Sequence, residues 1–116
     1  GKEIDTVNRI MATQFAKHLN TKEDIVYDIR KESEYAASHV EEAYSKPLAS
    51  INEWVKDINP QNHFYIYCAG GYRSMIAASI LLASGYRNFT EIAGGFDEIS
   101  KTNITTSDFV CQSKTV

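Results

Sequence analysis

Tyr67-Cys68-Ala69-Gly70-Gly71-Tyr72-Arg73-Ser74 is the stretch on which the reading of this chain turns. It follows the β-rich His63-Phe64-Tyr65-Ile66-Tyr67 and leads into the apolar Met75-Ile76-Ala77-Ala78, so a cysteine stands where a strand stops and a helix starts. The strand candidate is apolar on both faces, and so is Ile25-Val26-Tyr27-Asp28-Ile29. Such strands suit the centre of a parallel sheet covered by helices. Weaker strand candidates lie at residues 4–10 and 89–92. Helix signals alternate with them. Thr13 is placed to cap residues 14–19, where Phe15 and Leu19 share a face, and Ser50-Ile51-Asn52-Glu53 fits a capping box. Leu48, Ile51, Val55 and Ile58 then recur at helical spacing. Ser74 is placed to cap a helix through Leu82 that Gly85 closes in a left-handed turn. That helix is apolar nearly all round, which predicts the most buried helix of the fold. The alternation predicts an α/β class with right-handed βαβ units and a parallel sheet.

The chain has 116 residues and a net charge of −3, with 43% apolar and 23% charged residues. These values suit one globular domain over residues 1–116, with a core at about 4–101 and a C-terminal tail at 102–116. The longest apolar run, residues 75–83, is about half of the roughly 20 residues needed to span a bilayer, so no membrane partner is expected. No Lys/Arg cluster offers a footprint for nucleic acid. Cys68 and Cys111 are too few for a disulfide scaffold or a cysteine-based zinc site. No secretory signal precedes the domain, so a reducing cytoplasm is expected. The first residue is Gly1, which raises the expectation of one module cut from a longer protein.

In open α/β sheets, ligands bind beyond the carboxyl ends of strands, where Cys68 falls. Gly70 and Gly71 let the backbone curl so that N–H groups point into one concavity, and the adjacent helix N-terminus adds partial positive charge. Together these are expected to lower the Cys68 pKa and to hold an anion above a nucleophilic sulfur. Against this stands the commoner behaviour of a buried cysteine, an inert small hydrophobe. The glycines and Arg73 at short fixed spacing favour the reactive reading.

Cys68-Ala69-Gly70-Gly71-Tyr72-Arg73-Ser74 resembles the active-site loop C-x-x-G-x-R-S of rhodanese-like sulfurtransferases. Asp28-Ile29-Arg30 is similar to that family's D-x-R, and the segment from Glu34 to Val40 to its E-Y-x-x-G-H-I. Ala43-Tyr44-Ser45-Lys46-Pro47-Leu48 resembles A-x-x-x-P-L, and Gly94-Gly95-Phe96 the G-G-aromatic turn. The resemblance covers about residues 4–101. It departs at Ser38, where the family usually has Gly, at Glu41-Glu42, where it has Pro-Gly, and at Ile99, where an aromatic often stands. The fold so implied is a three-layer α/β/α sandwich around a mostly parallel sheet of about five strands. The activity implied is sulfur transfer from thiosulfate or a persulfide, through a Cys68 persulfide, to a thiol or cyanide. Ala69, Gly70, Gly71, Tyr72, Arg73 and Ser74 would bind the substrate, with Asp28, Arg30 and His39 in support. No metal and no cofactor is implied. The expected partners are small sulfur-containing anions and thiols, and modules of this kind with a C-terminal Val-Cys tail also occur fused to metallo-β-lactamase-fold domains.

Each residue also has a bland reading. Arg73 suits a structural ion pair with an acid such as Asp28 almost as well as a donor anion, and Arg30 and Glu34 suit an ion pair with each other. Asp28 suits fixing nearby backbone, His39 a satisfied structural histidine, and His18 and His63 surface positions. Tyr72 is expected to point outward, Trp54 to pack, and Cys111 to be a spare thiol in a tail anchored by Ile104, Phe109 and Val110. Two rival functions remain open. One is a non-catalytic binding or regulatory module. The other is a cysteine phosphatase or arsenate reductase, although phosphatase loops put five residues between Cys and Arg and here there are four.

Overall fold

In the computed structural model, residues 8–19 and 23–107 are described. Five strands form one parallel sheet: β1 (Asn8–Met11), β2 (Ile25–Asp28), β4 (Tyr44–Ser45), β5 (Phe64–Tyr67) and β6 (Phe89–Ala93), in the order β1-β6-β5-β2-β4. The three-layer α/β/α arrangement implied by the sequence is the one found. Period-2 alternation divides the strands between two cores. Phe64, Ile66 and Cys68 pack with Ile29 and Phe89 against α3 (Ile51–Trp54) and α4 (Tyr72–Ala83). Tyr67, Val26 and Ile92 face the other way, toward α1 (Ala12–His18) and α5 (Gly95–Ile99). Two 3-10 turns, Leu48–Ser50 and Val55–Asp57, flank α3, and α2 (Glu32–Ala37) follows β2. No helix among the described residues is long and apolar enough to cross a membrane.

Several helix expectations need correction. Ser50 caps nothing. Its hydroxyl donates to the Pro47 carbonyl at 3.2 Å, inside a 3-10 turn that runs into α3. The apolar stripe survives even so, with Ile51, Val55 and Ile58 buried and the Trp54 indole N–H on the Pro47 carbonyl at 2.9 Å. At α1 the helix starts one residue before Thr13, and the Gln14 side chain satisfies the Met11 amide at 3.0 Å. Ser74 lies inside α4, whose cap is Gly71 at φ +99°. Gly85 does close that helix, at φ +94°. α4 has an open side as well: Ala77, Ala78 and Leu81 are buried while Met75 and Ile76 are exposed, because an outer-layer helix meets the sheet on one face only.

The tail is not wholly a tail. β7 (Thr106–Ser107) pairs antiparallel with β3 (His39–Val40), and the Glu41 amide extends the ribbon by donating to the Thr105 carbonyl at 3.0 Å. Ile104 packs on the second core, whereas Phe109, Val110 and Cys111 lie outside the described residues. Val40 to Ala43 form a turn closed by a 2.9 Å bond, with Glu42 at φ +71°. A positive φ confined to the third position marks a type II turn, which favours glycine there. Glu42→Gly is therefore expected to stabilise the fold by about 0.5–1 kcal/mol, read as a higher urea midpoint with unchanged m-value. A lower midpoint would mean that the Glu42 side chain contributes more than its backbone strain costs.

Candidate functional site

β5 carries Cys68 to the carboxyl end of the sheet, in the row that faces α4. Gly71 reverses the chain in the left-handed region, where a Cβ would also press on the Gly94 amide nitrogen at 3.3 Å. Two N–H groups converge on the sulfur: Gly71 donates to Cys68 Sγ at 3.1 Å and Ser74 at 3.2 Å. They come from the cap and first turn of a 12-residue helix, so the partial positive charge of its N-terminus lies over the same atom. Cys68 is 1% exposed, which puts the sulfur at the floor of the loop and not on its rim. The remaining loop residues contribute differently from the expected ring of amides. Gly70 is exposed, Tyr72 points outward at 75% exposure, and Ala69 uses its carbonyl.

The carbonyls are turned away from the sulfur. The Phe96 amide donates to the Cys68 carbonyl at 2.6 Å, and the Asp97 amide to that of Ala69 at 2.9 Å. This approach requires glycine at position 95, since a Cβ there would lie 2.3 Å from the Cys68 carbonyl oxygen. The Gly94-Gly95-Phe96 turn is thus the part that locks the loop, a role its sequence alone does not declare.

Arg73 lies between loop and α2, forming a two-pronged ion pair with Glu34: Nη1 to Oε1 at 2.7 Å and Nη2 to Oε2 at 3.0 Å. The structural reading of Arg73 has the wrong acid when it names Asp28. The Arg30–Glu34 pair is likewise replaced. Glu34 also accepts the Lys31 amide at the start of α2, at 3.0 Å. The hydrogen bonds from Arg73 hold the Glu34 carboxyl at about 2, against an ordinary 4.5. The Arg73 guanidinium is held above its usual value chiefly by Glu34, with the nearby charge of Cys68 adding to it.

Asp28, Arg30 and His39 lie on the opposite face, apart from the sulfur. Asp28 Oδ1 accepts the Arg30 amide at 2.9 Å, and Arg30 Nη2 donates to Asp28 Oδ2 at 2.7 Å and to the Ser38 carbonyl at 2.6 Å. The guanidinium lies 4.4 Å from the Phe96 ring centroid. Tyr67 donates its hydroxyl to Asp28 at 2.8 Å, and burial pushes that phenol well above its ordinary value. His39 is buried, bonds the Tyr35 carbonyl through Nδ1 at 2.6 Å and stacks on the Tyr35 ring. The readings of Asp28 as a backbone fixer and His39 as a satisfied structural residue agree with these contacts.

One participant carries no signal in the sequence. Glu91, 1% exposed on β6, faces α4 and takes the Ser74 hydroxyl at 2.5 Å and Arg9 Nε at 2.8 Å. A carboxylate in an apolar strand could have prompted a search for a cation, but the partner lies 82 residues away across the β1–β6 register. Two clefts flank the loop. One of about 370 Å³ is lined by Arg9, Gly70, Gly71, Tyr72 and Met75 among others, and one of about 230 Å³ by Lys31, Pro47, Leu48 and Arg73 among others. A further cleft, of about 550 Å³ between α1 and α5, is lined by none of the residues 68–74.

With this geometry in view, similarity to known proteins has a concrete meaning. A family model described as rhodanese-like domain matches residues 11–102. The thiosulfate sulfurtransferase GlpE of Coxiella burnetii is 30% identical over 94 residues, which are 80% of this chain and 87% of that protein. The tRNA uridine(34) hydroxylase of Photorhabdus laumondii is 27% identical over 99 residues, and this chain spans 79% of itself but only 28% of the hydroxylase. The crystal structure of a rhodanese-related protein from Thermoplasma volcanium superposes with a TM-score of 0.75 at 22% identity, covering 88% of this chain and 99% of that one.

Two outcomes test the ion pairs. Arg30→Ala leaves the Asp28 carboxylate buried and without its cation, so a loss of about 3–5 kcal/mol is expected in denaturant unfolding. A loss under about 1 kcal/mol would make the pair incidental. The Glu34 carboxyl is depressed in the folded state, so its contribution is complete above pH 4.5 and is lost as the pH falls toward 2. Both side chains are about a third exposed, so solvent screening keeps the effect small. Glu34→Gln is expected to flatten the decline of stability over that acid window, and parallel wild-type and variant curves would contradict it.

Proposed function

The chain belongs to the rhodanese-like family, and from that premise we propose that it is a sulfurtransferase. In this reading Cys68 takes a sulfane sulfur from thiosulfate or a persulfide and passes it to a thiol or cyanide. The observation that carries it is the pair of main-chain N–H groups on Cys68 Sγ at a helix N-terminus. Main-chain amides held from elsewhere in the fold need no reorganisation when charge arrives on sulfur, which makes them effective in a displacement reaction.

In the first half-reaction the Cys68 thiolate attacks the outer sulfur of the donor. A new S–S bond forms, the donor's S–S bond breaks, and sulfite or a thiolate leaves with the electron pair. Cys68 is left as a persulfide whose negative terminal sulfur lies near the same amides. In the second half an acceptor thiolate or cyanide attacks that terminal sulfur, and the bond to Cys68 breaks to restore the thiolate. Both steps are nucleophilic displacements and call on no resident metal or organic cofactor. Since Cys68 is 1% exposed, the donor's terminal sulfur enters the loop while the rest of the donor stays outside. Arg73 stands at the mouth with its guanidinium fixed in orientation by Glu34, where its remaining N–H groups face an incoming donor. The ring of four residues between Cys68 and Arg73 is tighter than a phosphatase loop and suits a single sulfur atom better than a phosphate.

Incubation with thiosulfate is expected to add one sulfur atom to Cys68, seen as a mass increment on its peptide that disappears in Cys68→Ser. Release of that sulfur by cyanide completes the cycle. Absence of any increment with thiosulfate and with glutathione persulfide would shift the reading to a binding module. Hydrolysis of an aryl phosphate dependent on Cys68 would shift it to a phosphatase.

A further inference from the structure

Glu91 is a buried carboxylate that the proposed reaction does not use. It stands on β6 in the row facing α4, level with Ile66 on β5 and Arg9 on β1. Its Oε1 takes Arg9 Nη2 at 2.7 Å, and its Oε2 takes the Ser74 hydroxyl at 2.5 Å. A hydroxyl has one proton, and a charged acceptor at that distance wins it over the Gly71 carbonyl, which lies 3.1 Å from the same oxygen. Ser74 is therefore held from two sides of the residue: its side chain by Glu91 and its amide against Cys68 Sγ. The apolar seat of α4 on the sheet is Ala77, Ala78 and Leu81, three residues or more beyond Ser74, so the polar contact of Glu91 is made at the helix's first turn, ahead of that seat.

We propose that Glu91 is a positioning residue for the sulfur chemistry: through the Ser74 side chain it aligns the Ser74 amide on Cys68, with Arg9 fixing the carboxylate in place from the other side. The importance for catalysis rests on the sulfur-transfer reading; the alignment itself does not. Direction separates this role from simple electrostatics. Among the described residues, the charged groups around the sulfur are Arg73 with its partner Glu34 at the mouth and Asp97 beside Gly70, and the one facing Glu91 is Arg9. Removing a negative charge from this set favours the Cys68 thiolate, whereas losing an aligned amide disfavours it. The two effects have opposite signs.

The test is the pH profile of Cys68 alkylation by iodoacetamide, followed by peptide mass so that Cys111 is scored separately. It needs no sulfur donor, so failure of sulfur transfer leaves it intact, and its own failure leaves sulfur transfer standing. Glu91→Ala is expected to raise the midpoint and to cut the alkylation rate at pH 7 about three- to tenfold, a change of roughly half to one pH unit. Glu91→Gln retains an acceptor for the hydroxyl and is expected to keep the midpoint at or below the wild-type value. Ser74→Ala leaves the Arg9–Glu91 pair in place and is expected to reproduce the rise, with no further rise when Glu91→Ala is added. If Glu91→Ala does not fold, Ser74→Ala and Glu91→Gln decide alone. An unchanged midpoint in Ser74→Ala, a fall in Glu91→Ala, or a Glu91 effect that persists without the hydroxyl would overturn the proposal.

Discussion

A backbone that curls around an electron-rich sulfur has to send its carbonyl oxygens somewhere else, and here that requirement organises the end of the sheet. The Cys68 and Ala69 carbonyls are drawn outward by the Phe96 and Asp97 amides, which frees the Gly71 and Ser74 amides to point inward. The arrangement depends on an absent atom. A Cβ at position 95 would lie 2.3 Å from the Cys68 carbonyl oxygen and 2.8 Å from that of Ala69, so the two strands of backbone could not stay in this close approach. The strand, the loop, the long helix and the short helix after β6 thus form one device, and each supplies only backbone to the atom at its centre.

The side chains around that device follow a consistent electrostatic pattern. Around this end of the sheet three acids are paired with arginines: Glu34 with Arg73 at the mouth, Glu91 with Arg9 on the α4 side, and Asp28 with Arg30 on the opposite face; Asp97, beside Gly70, is a fourth acid outside these pairs. An unpaired carboxylate in any of these places would oppose a thiolate. Pairing leaves the main-chain amides and the helix N-terminus as the dominant field at Cys68. Within these three pairs charge is cancelled between side chains, and the backbone supplies the donors to the sulfur.

Much of this was legible before any coordinates, and the parts that were not have identifiable physical causes. The two central strands, the Cys68 loop and the left-handed Gly85 rest on local pattern, and they stand where the pattern puts them. The pairing of Arg30 with Glu34 looked natural as a tie between the strand end and the following helix, yet Asp28 is fully buried and takes Arg30, which leaves Glu34 to a residue 39 positions away. Ser74 has the chemistry of a cap but lies three residues past one, because Gly71 supplies the turn by its φ alone. Glu91 falls inside the weak strand candidate at 89–92 and drew no reading of its own. Only the register of β1 on β6 brings Arg9 beside it. Glu34 and Glu91 were misread or missed because a partner distant in sequence decides their contacts, whereas Arg30 went to Asp28 two residues away, and Ser50 and Thr13 lost their capping roles to neighbours three residues or fewer away.

The small ribbon of His39–Val40 with Thr106–Ser107 has a practical corollary for anyone excising this unit. The family match stops at residue 102, yet the strand after it shields two side chains that are nearly or wholly out of contact with water, takes up the Glu41 amide, and is preceded by Ile104 lying on the second core. A piece trimmed to the family limit would therefore be left with a wet seam along the edge of His39 and Val40, and its weakness would reflect the scissors and not the fold.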